Sequence, residues 1–241
     1  MVLIHGFTLD RRVWRPQVRS LSAGFRVITY DCRGFGRSSA PAGPYSHHDD
    51  LHRLLRHLGV ARPHLAGLSM GGRIALNYAL ARPGSARSLT LIGSDVGGHR
   101  YGFDWDAGLA ALDPAAAKAV WLRHELFGTV RRHPQAWELV RAMVADYSGW
   151  HWRNRDPRLP PDTGAVTRLA EIRAPVDVVV GALDLTDFHR VSRTLATRIP
   201  GAHRTVLPGV GHMAGLEAPD AVNALLLRRL TCGSRQQRSD P

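Results

Sequence analysis

A serine flanked by glycines is the residue of this sequence best suited to act as a nucleophile. Ser69 stands in Gly67-Leu68-Ser69-Met70-Gly71, directly after a short apolar segment and directly before a segment with helical periodicity. Small residues around a serine allow a sharp strand-to-helix turn, which exposes the hydroxyl at the end of the strand. The sequence therefore predicts Ser69 as the attacking group of a covalent mechanism.

A serine hydroxyl is a weak nucleophile at neutral pH, so it needs a base, and that base needs an orienting acceptor. Among thirteen histidines, His212 is the predicted base because it follows a glycine-rich loop after the last apolar segment. Asp184 is the predicted acceptor, since it follows another apolar segment and completes the chain order serine, aspartate, histidine. Asp187 and Asp95 remain alternatives for the acceptor.

The segment His5-Gly6-Phe7 follows the first apolar segment and is predicted to lie at the same edge as Ser69. The backbone N–H groups of Phe7 and Met70 are then expected to stabilise an oxyanion. His5 is interpreted as a packing and hydrogen-bonding residue of its loop. Asp31 is interpreted as an acceptor that stabilises a turn.

The elements that must position these residues are short apolar segments alternating with helical ones. This pattern predicts an α/β fold with a mainly parallel sheet and helices on both faces. The predicted strands are Val2–Ile4, Arg26–Tyr30, His64–Ala66, Ser88–Ile92, Val176–Val180 and His203–Leu207. The predicted helices are 49–58, 72–81, 190–198 and 219–230.

Residues 96–175 carry helical patterns, at 115–127 and 135–147, but no strand pattern. About eighty residues are too many for a structureless loop in a compact domain, so an inserted helical cap is predicted. The expected organisation is a core of residues 1–95 and 176–230, this cap, and a flexible tail at 231–241. Four tryptophans, Trp105, Trp121, Trp137 and Trp150, are expected to line an apolar substrate pocket. The alternative is that such aromatics form the cap's own core.

The composition, with 44% apolar and 22% charged residues, excludes wholesale disorder and collagen-like or coiled-coil structure. A net charge of +12 is compatible with binding to nucleic acid or to an anionic membrane. However, all cations except Lys118 are arginines, and they are scattered without a basic run. A surface that follows phosphates needs clustered cations, so neither nucleic acid nor a membrane is predicted as a partner.

The remaining sequence signals indicate a reducing compartment. Cys32 and Cys232 lie far apart, which favours neither a disulfide framework nor a metal cluster. Residues 47–52 contain three histidines and two aspartates, but they are interpreted as a solvated helix face. No apolar stretch reaches the roughly 18 residues of a membrane span, and the first residues lack a signal-peptide pattern. A cytoplasmic location is therefore predicted.

With these motifs in order along nearly its whole length, the chain resembles the α/β-hydrolase superfamily, in the branch of small esterases and enol-lactone hydrolases. The resemblance rests on the segments 5–7, 31–38, 67–72, 181–184 and 211–212. It implies that a substrate acylates Ser69, that His212 transfers protons, that Asp184 orients His212, and that no cofactor or metal is needed.

The function expected from this resemblance is hydrolysis of a small carboxylic ester or lactone. Carbon–carbon bond hydrolysis, perhydrolysis and biosynthetic cyclisation on the same triad remain alternatives, because one scaffold hosts many chemistries. A ligand-binding protein with little turnover is the alternative from another class.

The resemblance also implies two further strands before Met1, which this sequence lacks. Without them, Arg26–Tyr30 becomes an edge strand with unpaired backbone groups. We therefore expect either that the natural chain starts earlier or that this edge pairs with a second copy in a homodimer.

Overall fold

The fold is built on a parallel sheet at the centre of the chain. The computed structural model describes residues 1–102, 108–159 and 164–235. Its six strands are in the order β2-β1-β3-β4-β5-β6, and every pairing is parallel. The strands are β1 (Val2–Ile4), β2 (Ile28–Tyr30), β3 (His64–Leu68), β4 (Ser88–Ile92), β5 (Val176–Gly181) and β6 (His203–Leu207). The predicted α/β class and all six predicted strands are confirmed.

The helices cover this sheet and fill the connections between its strands. The α-helices are α1 (Arg15–Leu21), α2 (His47–His57), α3 (Met70–Ala81), α4 (Pro114–Trp121), α5 (Pro134–Asp146), α6 (Trp150–Arg153), α7 (Thr186–Arg198), α8 (Ala214–Glu217) and α9 (Pro219–Arg235). Short 3-10 helices lie at Arg11–Trp14, Leu109–Ala111, Glu125–Phe127, Val130–Arg132, Ala165–Thr167 and Leu169–Glu171. Helix α3 packs on β1, β3 and β4, whereas α7 packs on β5 and β6.

Burial along the strands explains why the sequence patterns predicted them well. Every residue of β1, β4 and β5 is buried, as expected of inner strands covered on both faces. The two edge strands, β2 and β6, are more exposed. All three residues of β2 are half-buried, and β2 pairs only with β1 within the described residues. The apolar run is thus strongest where both faces are covered.

The segment between β4 and β5, residues 96–175, is called the helical insertion below. Its described residues form α4, α5, α6 and 3-10 helices, and none of them joins the sheet. Four of its buried aromatic rings, those of Trp121, Phe127, Tyr147 and Trp152, pack edge-on with centroid distances of 5.1 to 6.2 Å. These rings form the core of the insertion itself, which was the alternative interpretation of its aromatic residues.

Several element ends differ from the prediction, most of all those of α4 and α9. Helix α4 ends at Trp121 rather than at Phe127, and a separate 3-10 turn follows it. Helix α9 continues to Arg235, so residues 231–235 are helical where a flexible tail was predicted. The Thr231 hydroxyl donates to the carbonyl of Leu227 at 3.0 Å, which keeps the chain in register with the preceding turn.

Among the described residues, no helix is both long enough and apolar enough to cross a bilayer.

Candidate active site

The turn between β3 and α3 holds Ser69 in a backbone conformation that side chains rarely adopt. Ser69 has φ +54° and ψ −115°. A Cβ on Gly71 would overlap the carbonyl of Ile4 in the neighbouring strand, and one on Gly67 would overlap the backbone of Gly71. Such strain costs on the order of 1–3 kcal/mol and persists where the surroundings enforce it, commonly at functional sites. The predicted sharp turn at Ser69 is therefore present.

His212 and Asp184 contact each other although 28 positions separate them. Nδ1 of His212 lies 3.0 Å from both carboxylate oxygens of Asp184. The two side chains are 1% and 0% exposed, so water does not compete for this contact. The backbone N–H of Leu185 also donates to Asp184, at 2.8 Å. A hydrogen bond from Nδ1 keeps the proton on that nitrogen and leaves the lone pair of the imidazole on Nε2.

His212, whose second ring nitrogen is Nε2, lines the same cavity as Ser69. Nε2 is buried and has no hydrogen-bond partner within the described residues, and both side chains line one cavity. The bond between the Ser69 hydroxyl and Nε2 is thus not formed in this structure. Catalytic hydrogen bonds are often long without substrate and tighten in the complex. His212 and Ser69 therefore bring an acceptor and a hydroxyl to the same cavity.

The two alternative acceptors have other partners. Asp187 accepts the backbone N–H of Gly102 at 2.9 Å, and this bond lowers the pKa of the Asp187 carboxyl. Asp95 forms an ion pair with Arg73 at 2.7 Å. Of the three candidate aspartates, the geometry pairs Asp184 with His212.

A buried carboxylate that the sequence analysis missed supports the histidine loop. Oε2 of Glu217 accepts the N–H of Gly211 at 2.6 Å, and Oε1 accepts the N–H of Met213 at 3.0 Å. Glu217 therefore holds the backbone on both sides of His212. Burial raises the pKa of Glu217, while the two donated hydrogen bonds oppose that rise. The only sequence signal was an acidic residue just before the proline that starts α9.

The two predicted oxyanion donors also lie at this cavity. Met70 begins α3, so its N–H belongs to the first turn and has no partner inside the helix. Phe7 and Met70 both line the cavity next to Ser69. Neither amide donates a hydrogen bond to another backbone group within the described residues. Both are thus free to serve as donors to a substrate oxygen.

His5 fixes the peptide group that carries the Phe7 amide. The N–H of Cys32 donates to Nε2 of His5 at 2.9 Å, so the proton of the ring sits on Nδ1. Nδ1 in turn donates to the carbonyl of Gly6 at 2.8 Å. Burial lowers the pKa of His5, which favours the neutral ring. The interpretation of His5 as a hydrogen-bonding residue of its loop is confirmed.

The residue after Phe7 connects this loop to the helical insertion. Thr8 has φ +60°, and its hydroxyl donates to the carbonyl of Phe7 at 2.7 Å. The indole N–H of Trp121, at the end of α4, donates to the same hydroxyl at 2.7 Å. The sequence offered no signal for this contact, because its two partners are 113 positions apart.

The cavity that contains Ser69 has a volume of about 400 Å³. Its apolar wall includes Phe7, Leu9, Phe35, Trp121, Leu126, Phe188 and Met213. Its polar wall includes His47, Arg73, Asp95, His99, Tyr101, Asp156 and Arg158. Concave, mainly apolar sites with a few polar groups are typical of small-molecule binding.

The expected tryptophan lining is only partly present. Trp121 lines the cavity, whereas Trp137 and Trp150 do not, and Trp105 lies outside the described residues. The prediction for Trp137 and Trp150 is therefore corrected. The ring of Trp137 packs under the guanidinium of Arg131 at 5.6 Å. The ring of Trp150 packs edge-on against the imidazole of His151 at 5.0 Å. Helical periodicity turns these two rings to other faces of the insertion.

The histidines and aspartates at the start of α2 make separate contacts with different parts of the chain. Asp49 pairs with Arg82 at 2.6 Å, and Asp50 pairs with Arg33 at 2.7 Å. His47 is buried and lines the cavity, which the sequence analysis did not predict. A search of the described residues finds no group of three or more candidate ligands able to hold a metal ion.

Comparison with known proteins places these features in a family. A family profile for the alpha/beta hydrolase fold matches residues 1–219. A RutD protein from Caulobacter sp. (strain K31), provisionally named a carbamate hydrolase, is 30% identical over 245 residues, covering 96% of this chain and 90% of its own. The chain is also similar to two solved structures of named activity.

The first of these structures is the enol-lactonase from Burkholderia xenovorans LB400, with a TM-score of 0.81 and 27% identity, covering 95% of this chain and 90% of the other. The second is a thermophilic esterase from Thermogutta terrifontis, with a TM-score of 0.79 and 27% identity, covering 96% and 89%. The chain is a hydrolase and belongs to the α/β-hydrolase family.

Proposed function

We propose that this enzyme hydrolyses a small carboxylic ester or lactone through an acyl-enzyme on Ser69. The observation that carries the proposal is the buried contact between His212 and Asp184, which leaves Nε2 as an acceptor on a residue that lines the same cavity as Ser69. The similarity to an enol-lactonase and an esterase agrees with this substrate class.

In the proposed reaction, the hydroxyl of Ser69 attacks the carbonyl carbon while its proton passes to Nε2 of His212. The carbonyl oxygen becomes an oxyanion, which accepts hydrogen bonds from the N–H groups of Phe7 and Met70. Collapse of this intermediate breaks the bond to the alcohol, and the alcohol oxygen takes the proton from Nε2. With a lactone, that alcohol stays attached to the acyl group.

Deacylation repeats these steps with water in place of the serine. Nε2 of His212 accepts a proton from water, the resulting hydroxide attacks the acyl carbon, and the acid leaves as Ser69 regains its proton. Asp184 stabilises the charged imidazole that forms twice in the cycle. All steps use groups of this chain and water.

The test is covalent labelling with a fluorophosphonate, followed by peptide mass spectrometry. We expect the wild-type protein to gain one adduct on Ser69 and to hydrolyse 4-nitrophenyl esters. The Ser69→Ala variant should lose the adduct and at least about a thousandfold in kcat, as triad variants do.

Ser22→Ala is the matched control, because Ser22 is exposed and lies at the end of α1, away from the cavity. It should keep both labelling and turnover. A folded wild-type protein that is labelled at another serine, or at none, contradicts the proposal.

A further inference from the structure

Arg158 lines the cavity but has few partners for its guanidinium. Its side chain is 29% exposed, and Nε lies 3.5 Å from a carboxylate oxygen of Asp156, which is beyond a good hydrogen bond. Within the described residues, neither terminal amino group of Arg158 has an acceptor. Together these groups carry four N–H donors, and they remain available.

The backbone around Arg158 is held by hydrogen bonds, which fix where its side chain starts. Arg158 forms an isolated parallel bridge with Tyr45, and the N–H of Leu159 donates to the carbonyl of Tyr45 at 2.8 Å. The N–H of Arg158 donates to Oδ1 of Asp156 at 3.0 Å. Asp156 thus anchors the backbone of this segment without occupying the terminal amino groups.

Burial and charges of both signs act on Arg158. Burial lowers the pKa of Arg158, and among its charged neighbours the like charge of Arg73 has the largest effect. Arg73 already has a carboxylate partner, since Asp95 lies 2.7 Å from it. Arg158 is paired more loosely, with Asp156 at 3.5 Å from its Nε, so a negative group beside its terminal amino groups would offset the repulsion from Arg73.

His47 adds a neutral imidazole to the same wall. Burial, followed by the charges of Arg158 and Arg73, holds the pKa of His47 well below its usual range. A neutral ring can donate one N–H to an anion. Asp95 and Asp156 balance the formal charges of Arg73 and Arg158, so an anion would be recognised by the hydrogen-bond donors of Arg158 rather than by a net positive charge.

We propose that the substrate carries a carboxylate, separate from its reacting carbonyl, that binds in the cavity to both terminal amino groups of Arg158. The planar guanidinium matches a carboxylate with two parallel hydrogen bonds. This inference rests on the proposed function, because it concerns the substrate that Ser69 attacks, and it narrows that substrate to acidic esters or lactones.

The first test compares acidic esters with neutral esters of the same length. One series has the carboxylate on the acyl part, as 4-nitrophenyl monoesters of dicarboxylic acids from succinate to pimelate, and a second has it on the alcohol part. We expect at least one acidic ester to exceed its neutral counterpart about tenfold or more in kcat/KM, mainly through KM.

In Arg158→Gln this preference should fall by about tenfold or more, and Arg158→Lys should retain part of it. Arg155→Gln is the control, because it removes the same charge from an exposed position three residues away that does not line the cavity. Equal loss of preference in Arg158→Gln and Arg155→Gln overturns the inference, as does the absence of any preference in the wild type.

A binding measurement separates this inference from the proposed reaction. In the Ser69→Ala background, titration calorimetry with the same ester pairs should give tighter binding of the acidic member, and Arg158→Gln should abolish that difference. If wild-type Ser69 is labelled but no acidic ester is preferred in turnover or binding, only the inference about Arg158 fails. If nothing is turned over but the acidic ester binds through Arg158, only the proposed reaction fails.

Discussion

Glu217 positions the backbone on both sides of His212. Its two oxygens accept the N–H groups of Gly211 and Met213, one on each side of the histidine. A carboxylate offers two acceptors, whereas a carboxamide offers one acceptor and one donor. Substitution by glutamine therefore places an NH₂ group against a backbone N–H, and the loop has to move.

We predict that Glu217→Gln lowers kcat about tenfold or more and changes KM little, because small displacements of a reacting group are costly. An unpaired buried N–H should also lower the free energy of unfolding by about 1–3 kcal/mol. The measurement is kcat per site that reacts with fluorophosphonate, so unfolded protein is not counted. Glu138→Gln, at an exposed position on α5, should match the wild type. A wild-type kcat in Glu217→Gln would show that the loop around His212 keeps its conformation without these two hydrogen bonds.

The residues with a local motif could be predicted from the sequence, and the others could not. Ser69 has its glycines within two positions, and His212 has a glycine-rich loop before it. The roles of Thr8 and Arg158 depend on partners that only the folded chain brings near, such as Trp121 for Thr8. A local pattern carries no information on such contacts.

At the scale of elements, the close crossing of α3 over β1 determines where Ser69 can lie. The first turn of α3 passes so near β1 that a Cβ on Gly71 would overlap the carbonyl of Ile4. The sequence patterns predicted the strand and the helix but not the distance between them. The glycines of the motif thus serve packing between elements as well as the turn itself.

We predict that Gly71→Ala lowers the free energy of unfolding by about 1–3 kcal/mol, because backbone atoms must shift to accept the methyl group. Fluorophosphonate labelling of Ser69 should slow in the same variant. Urea unfolding measures the first effect. The control is Gly24→Ala, where a Cβ meets nothing within 4 Å. Equal stability of the two variants would show that the crossing can widen without cost.

At the scale of the whole molecule, buried histidines make stability depend on pH. Burial lowers the pKa of His64 and of His151 from 6.5 to about 4 in the folded protein. In the unfolded chain both rings titrate near the ordinary value of about 6.5. Between these values the unfolded state binds more protons than the folded state, so stability rises with pH. This contribution is complete above about pH 6.5 and is lost as the pH falls towards 4.

We therefore predict that the melting temperature falls between pH 7 and pH 4.5, by on the order of 5 °C. His151→Phe should reduce this dependence, because it keeps a ring against Phe35, stacked at 4.4 Å, and removes one titrating group. His57→Gln, at an exposed position, should leave the dependence unchanged. Differential scanning calorimetry at four pH values provides the measurement, and parallel curves for the three proteins would contradict the prediction.

The place where the helical insertion joins the sheet has a consequence for evolution and engineering. The chain leaves from β4 and returns into β5, and these two strands are hydrogen-bonded neighbours. Because the two strands are parallel, the chain leaves at the carboxyl end of β4 and re-enters at the opposite edge of the sheet, where Val176 pairs with Leu89. Any insertion has to cross back along the strands. Beyond this minimum length, the entropic penalty of closing the connection grows only slowly with its length. The insertion can therefore vary in length while the register of the sheet stays the same, but a replacement has to keep the contact that Trp121 makes with Thr8. Selectivity can therefore diversify through changes in this insertion, within the limits set by its contact with the loop that carries Phe7 and Thr8.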